Sequence, residues 1–433
     1  LNSLQSNKST IEQIKKNLKT DMENYLMRSG VPLSKLDELS VIHVAGTKGK
    51  GSTSAMCECI LRSHGFRTGF YSSPHLVAAR ERIRIDGRPL SEQAFAQHFH
   101  TVYDLLKDTQ EYDGDMPKYF AFLTVMAYNV FLAEKVDVAV VEVGIGGVVD
   151  YTNVLRKVPV VGITSLGLDH TSILGNSLAE IAAAKAGIMK RGCQAFTVRQ
   201  PHDALDVLVQ VARNVQVREY CRVVSYKSLN TTYRTNASLA IQLSHAWMRI
   251  TQPKTDLNGL KNCKWPGRYQ IVLTDYAMFY LDGAHTKESM EICAQWFSDS
   301  NTSEPNILIF IFRLQEKVLI FSATGDRNSD TLLRPLSSIK FDHAYFVVPT
   351  AYQATSQNND NYSLVEQEQL IQRCRNHANT WSNINSSDIT VLDSVSEALI
   401  AVKKSCKQPS VLVTGSLHLV GAALSILDPN LSN

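Results

Sequence analysis

The chain has 433 residues, 44% hydrophobic and 20% charged, with a net charge of +3. That length allows two or three domains with sizeable cores, and the composition is that of a soluble globular protein. The charge is too balanced to argue for nucleic acid or an anionic membrane, apolar runs such as VDVAVVEVGIGG are too short to span a bilayer, and the eight scattered cysteines fit a reducing compartment.

Residues 40–45 are a short apolar, β-branched run that predicts a buried strand. It leads into the Gly-rich stretch GTKGKGS, residues 46–52. Residues 52–64 have helical composition and stop at Gly65, a natural residue just past a helix end. RTGFYSS reads as the next strand. Ser91 can cap a helix whose apolar face carries Phe95, Phe99, Val102 and Leu106. Pro117 opens another helix, to about Lys135. Residues 136–143 and the run VPVVGITSL read as strands covered on both faces, and helices follow near 177–190, 203–214 and 235–249. Strands alternating with helices predict a parallel α/β sheet with right-handed crossovers. After a break rich in Pro, Gly, Lys and Asn near 250–268, a second alternation begins with strands in MFYLDGAH, VLIFSATGDR, HAYFVV and SVLVTGSLHLVG. This predicts a second, smaller α/β domain, with the chain dividing into 1–262 and 263–433. The polar stretch 351–363 is expected to be a loop.

GTKGKGS breaks the usual phosphate-loop spacing of Gly, four residues, Gly-Lys and then Ser or Thr. Gly46 lies three residues before Gly49, and Gly51 separates Lys50 from Ser52. Between a strand and a helix, however, backbone N–H groups and the helix N-terminus converge on an anion. Lys50 supplies a mobile cation for terminal phosphates and Ser52 a hydroxyl; the bland alternative is a Gly-rich turn that binds nothing. Glu142 is a lone carboxylate in an apolar strand, so it should meet a cation, either Mg²⁺ or a structural salt-bridge partner. His170 follows a strand end, where it is either a ligand or a local hydrogen-bonding residue. Lys185 has the position of a solvated or snorkelling helix lysine. Arg268, and Asp282 with His285, are either a turn or groups that reach a nucleotide. Asp326, Arg327, Ser416 and His418 also follow apolar strands.

Taken in order, HVAGTKGKGS, FYSSPHL, ERIRIDG, VVEVGIGG, DYTN, LGLDHTSILG, KAGIMK, WPGR, LDGAH and VTGSLHLVG resemble the folylpolyglutamate synthases, which are Mur-type ATP-dependent amide ligases. GTKGKGS, SATGDR and SLHLVG resemble the eukaryotic branch. The resemblance implies an N-terminal P-loop-containing ATPase domain of the Mur-ligase type and a smaller, Rossmann-like C-terminal α/β domain. It implies that Gly46, Thr47, Gly49, Lys50, Gly51 and Ser52 hold ATP phosphates, that Asn236 lies near the adenine, and that Arg268 and Asp282 reach ATP from the second domain. Ser73, Glu142 and His170 would surround Mg²⁺, with K⁺ as a further candidate cation. Lys185 matches a lysine that related ligases carboxylate with CO₂, which turns an ammonium into an anionic oxygen ligand. Lys50, His170, Lys185 and His285 would be catalytic. Ser72, Ser73, Pro74, His75 and Arg82 match the folate region, and Ser416 and His418 match positions tied to glutamate binding.

The implied reaction adds L-glutamate to the γ-carboxylate of a folate glutamate tail through an acyl phosphate, with ATP, L-glutamate and a reduced folate as partners. A monomer is expected, in the cytoplasm and/or the mitochondrion, with no nucleic acid and no membrane span. Rival readings are a dihydrofolate synthase or bifunctional ligase, a nucleotide-dependent switch, and an inactive nucleotide- or folate-binding homologue. The chain departs from the family pattern at Val148, where bacterial relatives often carry Arg. It also departs at Thr232 and Tyr233, which stand where the family shows His-Gln. The segment 221–230 is short, and 306–317 is unusually apolar.

Overall fold

The computed structural model describes residues 1, 4, 18–222, 231–251, 259–260, 263–300, 316–325, 327–352, 367–404, 408–429 and 431. The short segment at 223–230, most of the apolar 306–317, Asp326, and residues 353–363 of the polar stretch lie outside the described residues.

The chain forms two compact units, residues 1–73 with 80–264 and residues 74–79 with 265–433. This differs from the expected division in residues 74–79 and 263–264. The reason for the first difference is Leu76, which is buried in one core with Val272, Phe279, Leu281 and Val420 of the second unit.

The first unit holds β1 (Val41–Ala45), β2 (Thr68–Tyr71), β3 (Ile83–Ile85), β4 (Arg88–Pro89), β5 (Val138–Glu142), β6 (Val160–Ile163), β7 (Gln194–Thr197) and β8 (Glu219–Arg222). Their order is β4-β3-β2-β5-β1-β6-β7-β8. The strands β2, β5, β1, β6, β7 and β8 are parallel. Every residue of β1, β5 and β6 is buried, as helices on both faces require. The expectation of a wholly parallel sheet needs correction at one edge: ERIRIDG forms an antiparallel hairpin. Its turn is Asp86-Gly87, with φ of 49° and 77°, the left-handed pair that a two-residue hairpin needs.

Helix boundaries follow local chemistry. Ser91 caps the helix Glu92–Asp108 by accepting from the Ala94 N–H; Val102 and Leu106 are buried, and Phe95 and Phe99 pack on the same core. The next helix begins at Tyr119 rather than Pro117 and is buried almost throughout. The helix Leu178–Ala186 stops before Gly187, short of the expected 190, after starting on a Ser177–Glu180 capping box.

The second unit holds β9 (Gln270–Leu273), β10 (Met278–Asp282), β11 (Lys317–Phe321), β12 (His343–Val347), β13 (Asp388–Leu392) and β14 (Ser410–Thr414). The order is β13-β12-β11-β14-β10-β9, parallel except for β9. One core gathers Phe297, Phe341 and Trp381; the other gathers Phe279, Leu399 and Val420. No helix among the described residues is long and apolar enough to cross a membrane.

Candidate active site

Strand register sets the ends of the first sheet level. Val44 pairs with Glu142, Ala45 with Ile163, and Tyr71 with Val141. The loops after β1, β2, β5 and β6 therefore leave from the same C-terminal edge, where α/β sheets take ligands. That edge presents Gly46–Ser52, Ser72 and Ser73, Glu142, and residues 164–170.

The loop after β1 is held at its front and left open at its rear. The Thr47 and Lys48 N–H groups both donate to the Ser165 carbonyl, at 3.0 and 3.1 Å. The Thr47 hydroxyl donates to the Gly167 carbonyl at 3.1 Å and accepts from the Gly167 N–H at 3.2 Å. Gly46 and Gly49 have φ of +152° and +85°; a Cβ on them would lie 1.8 Å from Thr164 Oγ1 and 2.2 Å from Asn236 Oδ1. The left-handed Gly49 turns the chain straight into the helix Lys50–Ser63, which starts before the expected Ser52 and has no side-chain cap. The first intrahelical bond here is from the Thr53 N–H to the Gly49 carbonyl, so Lys50, Gly51 and Ser52 present N–H groups at an uncapped helix start. Asn236, expected near the adenine, is 5% exposed and lies against Gly49 of this loop. Tyr233, one turn earlier on the same helix, is exposed.

Positive charge gathers around this start. Lys185 is not the snorkelling lysine its sequence position suggests: it is 4% exposed and its ammonium donates to the Gly46 carbonyl at 2.8 Å. Burial, and then the Lys50 ammonium, push it down to about 7. Lys48 pairs with Asp169 at 3.3 Å. Burial raises the Asp169 carboxyl, but Lys48 and His170 outweigh it and hold the group below its ordinary value. His170 begins the short helix Thr171–Leu174 with a left-handed φ of 52°. Burial lowers its imidazole, with Lys50, Lys185 and Lys48 acting in the same direction against Asp169. Lys48 and Lys50 beside an uncapped helix start form a site suited to a polyanion. Sequence reasoning missed Lys48 and Asp169; their adjacency to Gly49 and His170 was the available signal.

On the other side of β1, Glu142 is 4% exposed and accepts from the Ser73 N–H at 3.1 Å. Ser72 N–H donates to the Arg82 carbonyl at 3.1 Å, and the Arg82 guanidinium sits 5.3 Å from the Tyr119 ring centre. These candidates lie in the first unit, whereas Pro74 and His75 belong to the second. Among the described residues, no group of three or more His, Cys, Asp or Glu side chains is arranged to hold a metal ion.

In the second unit, Asp282 ends β10, beside Thr414 of β14. Its carboxylate accepts from the Tyr269 N–H at 3.0 Å. Burial raises it, opposed by Arg268 and by the Tyr269 and Ala284 N–H groups. His285 Nδ1 lies 2.8 Å from the Gly283 carbonyl oxygen, and the His285 backbone N–H donates to Ser289 Oγ at 3.1 Å. Ser416 caps the helix Leu417–Leu427 by accepting from the Leu419 N–H at 3.2 Å, and His418 is exposed on that first turn. Arg327 donates to the Thr324 carbonyl at 3.1 Å.

No protein-family model matches the chain. The chain is 36% identical to the mitochondrial folylpolyglutamate synthase of Homo sapiens, over 100% of this chain and 91% of that protein. It is 37% identical to the putative folylpolyglutamate synthase of Caenorhabditis elegans, over 98% and 91% of the two chains. The folylpolyglutamate synthase of Neurospora crassa is 36% identical, over 99% and 90%. In fold the chain is similar to the Mycobacterium tuberculosis folylpolyglutamate synthase complexed with ADP and AMPPCP, with a TM-score of 0.75 and 24% identity over 95% of each chain.

Proposed function

This chain belongs to the folylpolyglutamate synthase family, and from that membership we propose that it uses ATP to join L-glutamate to the γ-carboxylate of the glutamate tail on a reduced folate. The carboxylate takes the terminal phosphoryl group of ATP. The amine of free L-glutamate then attacks the acyl phosphate, giving the amide, ADP and phosphate. The observation that carries this reading is the uncapped helix start after the Gly-rich loop, with Lys50 at its first position and Lys48 in the loop before it. Phosphoryl transfer depends on positioning and charge neutralisation, which these N–H groups and lysines would supply.

Gly46–Ser52 would cradle the phosphates, with Lys50 on the terminal ones and Asn236 pressing on the loop from behind Gly49. The buried Glu142 carboxylate, bonded to the Ser73 N–H, supplies the anionic oxygen that suits Mg²⁺, and the Ser73 hydroxyl and the His170 imidazole are the proposed further ligands, with water and phosphate oxygens completing the shell. Bound there, Mg²⁺ would neutralise charge on the transferring group; K⁺ is a further candidate. An ammonium on Lys185 does not fit among cation ligands. Held near 7, however, the group has an uncharged fraction at neutral pH that can add CO₂ and become an anionic carbamate. In the first unit, Ser72, Ser73 and Arg82 are proposed folate contacts; in the second, Pro74 and His75 are proposed for folate, Arg268 and Asp282 for ATP, and His285, Ser416 and His418 for glutamate and catalysis. We propose a monomer acting in the mitochondrion, as the names of the mammalian relatives suggest, and in the cytoplasm.

The test is mass spectrometry of folate products. Tetrahydrofolate monoglutamate, ATP and glutamate should give products heavier by successive glutamyl residues, and ¹⁸O in the γ-carboxylate should appear in the released phosphate. Product from dihydropteroate alone would assign the chain to the sibling ligase activity. ATP turnover without glutamate would revive the switch reading.

A further inference from the structure

Seven described cysteines are free thiols. Burial pushes Cys57 and Cys374 up to about 12 and also raises Cys193, Cys221 and Cys293, as expected of inert structural thiols. Cys59 differs. It is 3% exposed, on the helix that starts at the phosphate loop. Its thiol donates to the Gly259 carbonyl at 3.1 Å, its sulfur receives Arg62 Nη2 at 3.4 Å, and it shares a hydrogen bond with the Cys263 thiol. The hydrogen bond between the two thiols, helped by Arg62, outweighs burial and holds Cys59 below the ordinary thiol value, while Cys263 is raised.

The chain is shaped to bring the two sulfurs together. The Cys263 N–H turns back to the Leu260 carbonyl at 3.3 Å. A Cβ on Gly259 would lie 2.6 Å from Ile60 Cα, so Gly259 lies directly on the helix. Arg84 and Tyr233 interact electrostatically with these sulfurs, and Glu58 is the opposing carboxylate. Cys263 is partly exposed, which opens one side of the pair to a small reagent. Nothing in the proposed ligase chemistry uses either thiol.

We propose that Cys59 and Cys263 are a modifiable dithiol, which a peroxide oxidises to a disulfide that fastens the phosphate-loop helix to the segment leading into Trp265. The Cys59 thiolate attacks one oxygen of hydrogen peroxide, the O–O bond breaks, and hydroxide leaves with the Cys59 sulfur as a sulfenic acid. Cys263 then attacks that sulfur; its proton and the proton taken up by the departing oxygens complete two waters. Each sulfur loses one electron, and the peroxide gains two. Thiol reductants reverse the bond.

The experiment uses the intact chain and does not depend on the ligase reading. Folded protein is treated with hydrogen peroxide, blocked with N-ethylmaleimide and digested without reduction. A linked Cys59–Cys263 peptide pair is expected, lost on adding dithiothreitol and retained in Cys57→Ser, which resolves the two cysteines that share a tryptic peptide. In Cys263→Ser the linked pair should vanish and Cys59 should be labelled by dimedone, about tenfold faster than Cys293 or Cys374. Recovery of Cys59 and Cys263 as maleimide adducts to the same extent as Cys293 would overturn the proposal. So would a linkage through Cys57, or a Cys59 that dimedone does not label in Cys263→Ser.

Discussion

Both sheets carry polar groups at the C-terminal ends of their strands, yet the helices that follow start differently. In the first unit, the helix after β1 has no cap, and Lys48, Lys50 and Lys185 act together on His170. In the second, Ser416 caps its own helix, Asp282 takes the Tyr269 N–H, and the His285 ring meets the Gly283 carbonyl. Both edges tie groups into local bonds, Lys48 to Asp169 and Lys185 to the Gly46 carbonyl in the first, but the first also gathers lysines beside an uncapped helix start. A polar residue at a strand end is therefore weak evidence of binding until its local bonds are counted. The proposed anion affinity therefore falls mainly to the first unit, and mutation separates the second unit's proposed roles from turn stability.

The sharpest way to break that contrast is Lys50→Ala. It should lower glutamate addition about 10²–10³-fold with an unchanged circular dichroism spectrum, the loss typical of one charge-stabilising donor. Retained turnover would remove Lys50 from the chemistry. Next is acid stability, since each unit buries a neutral histidine: His43, pushed down to about 3 by burial, and His377, pushed down to about 4. The folded protein binds fewer protons than the unfolded chain between these values and 6.5, so stability is greatest above pH 6.5 and falls as pH drops toward them. His43→Gln should flatten this fall in urea titrations by about 2 kcal/mol between pH 7 and 5. An unchanged slope would mean that His43 is charged in the fold.

Asp282→Asn tests the second edge, and it should raise KM for ATP about tenfold, measured by initial rates. A lower Tm with unchanged KM would reduce Asp282 to a turn residue. The smallest effect is expected for Lys48→Met, which removes a half-exposed ion pair. Its cost in chemical denaturation should be about 0.2–1 kcal/mol, and a larger loss would show that the Lys48–Asp169 link holds the His170 loop in place.

The strands β1, β5, β6, β10, β11, β12 and β14 were legible because each is a short apolar run flanked by glycine or polar turns. The Ser91 cap was legible for the same local reason. The β3–β4 hairpin was not, because ERIRIDG alternates arginines with isoleucines and does not resemble a doubly covered strand. Nor were β8 and β13, where residues 219–221 and 388–392 are only partly covered or exposed. At the site, the loop and its lysine could be read directly from GTKGKGS. The burial of Lys185 could not, since its partner is the Gly46 carbonyl 139 positions earlier. The Lys48–Asp169 pair and the approach of Asn236 to Gly49 are likewise products of folding that no local pattern announces.

The central claim is that the uncapped helix start in the first unit receives the phosphates of ATP. Isothermal titration of a non-hydrolysable ATP analogue with Mg²⁺ into the full chain and into Lys50→Ala tests it most directly. Saturable binding to the full chain, weakened at least about tenfold in the variant, is the predicted result. Equal affinity in the two, or no binding to either, would contradict it.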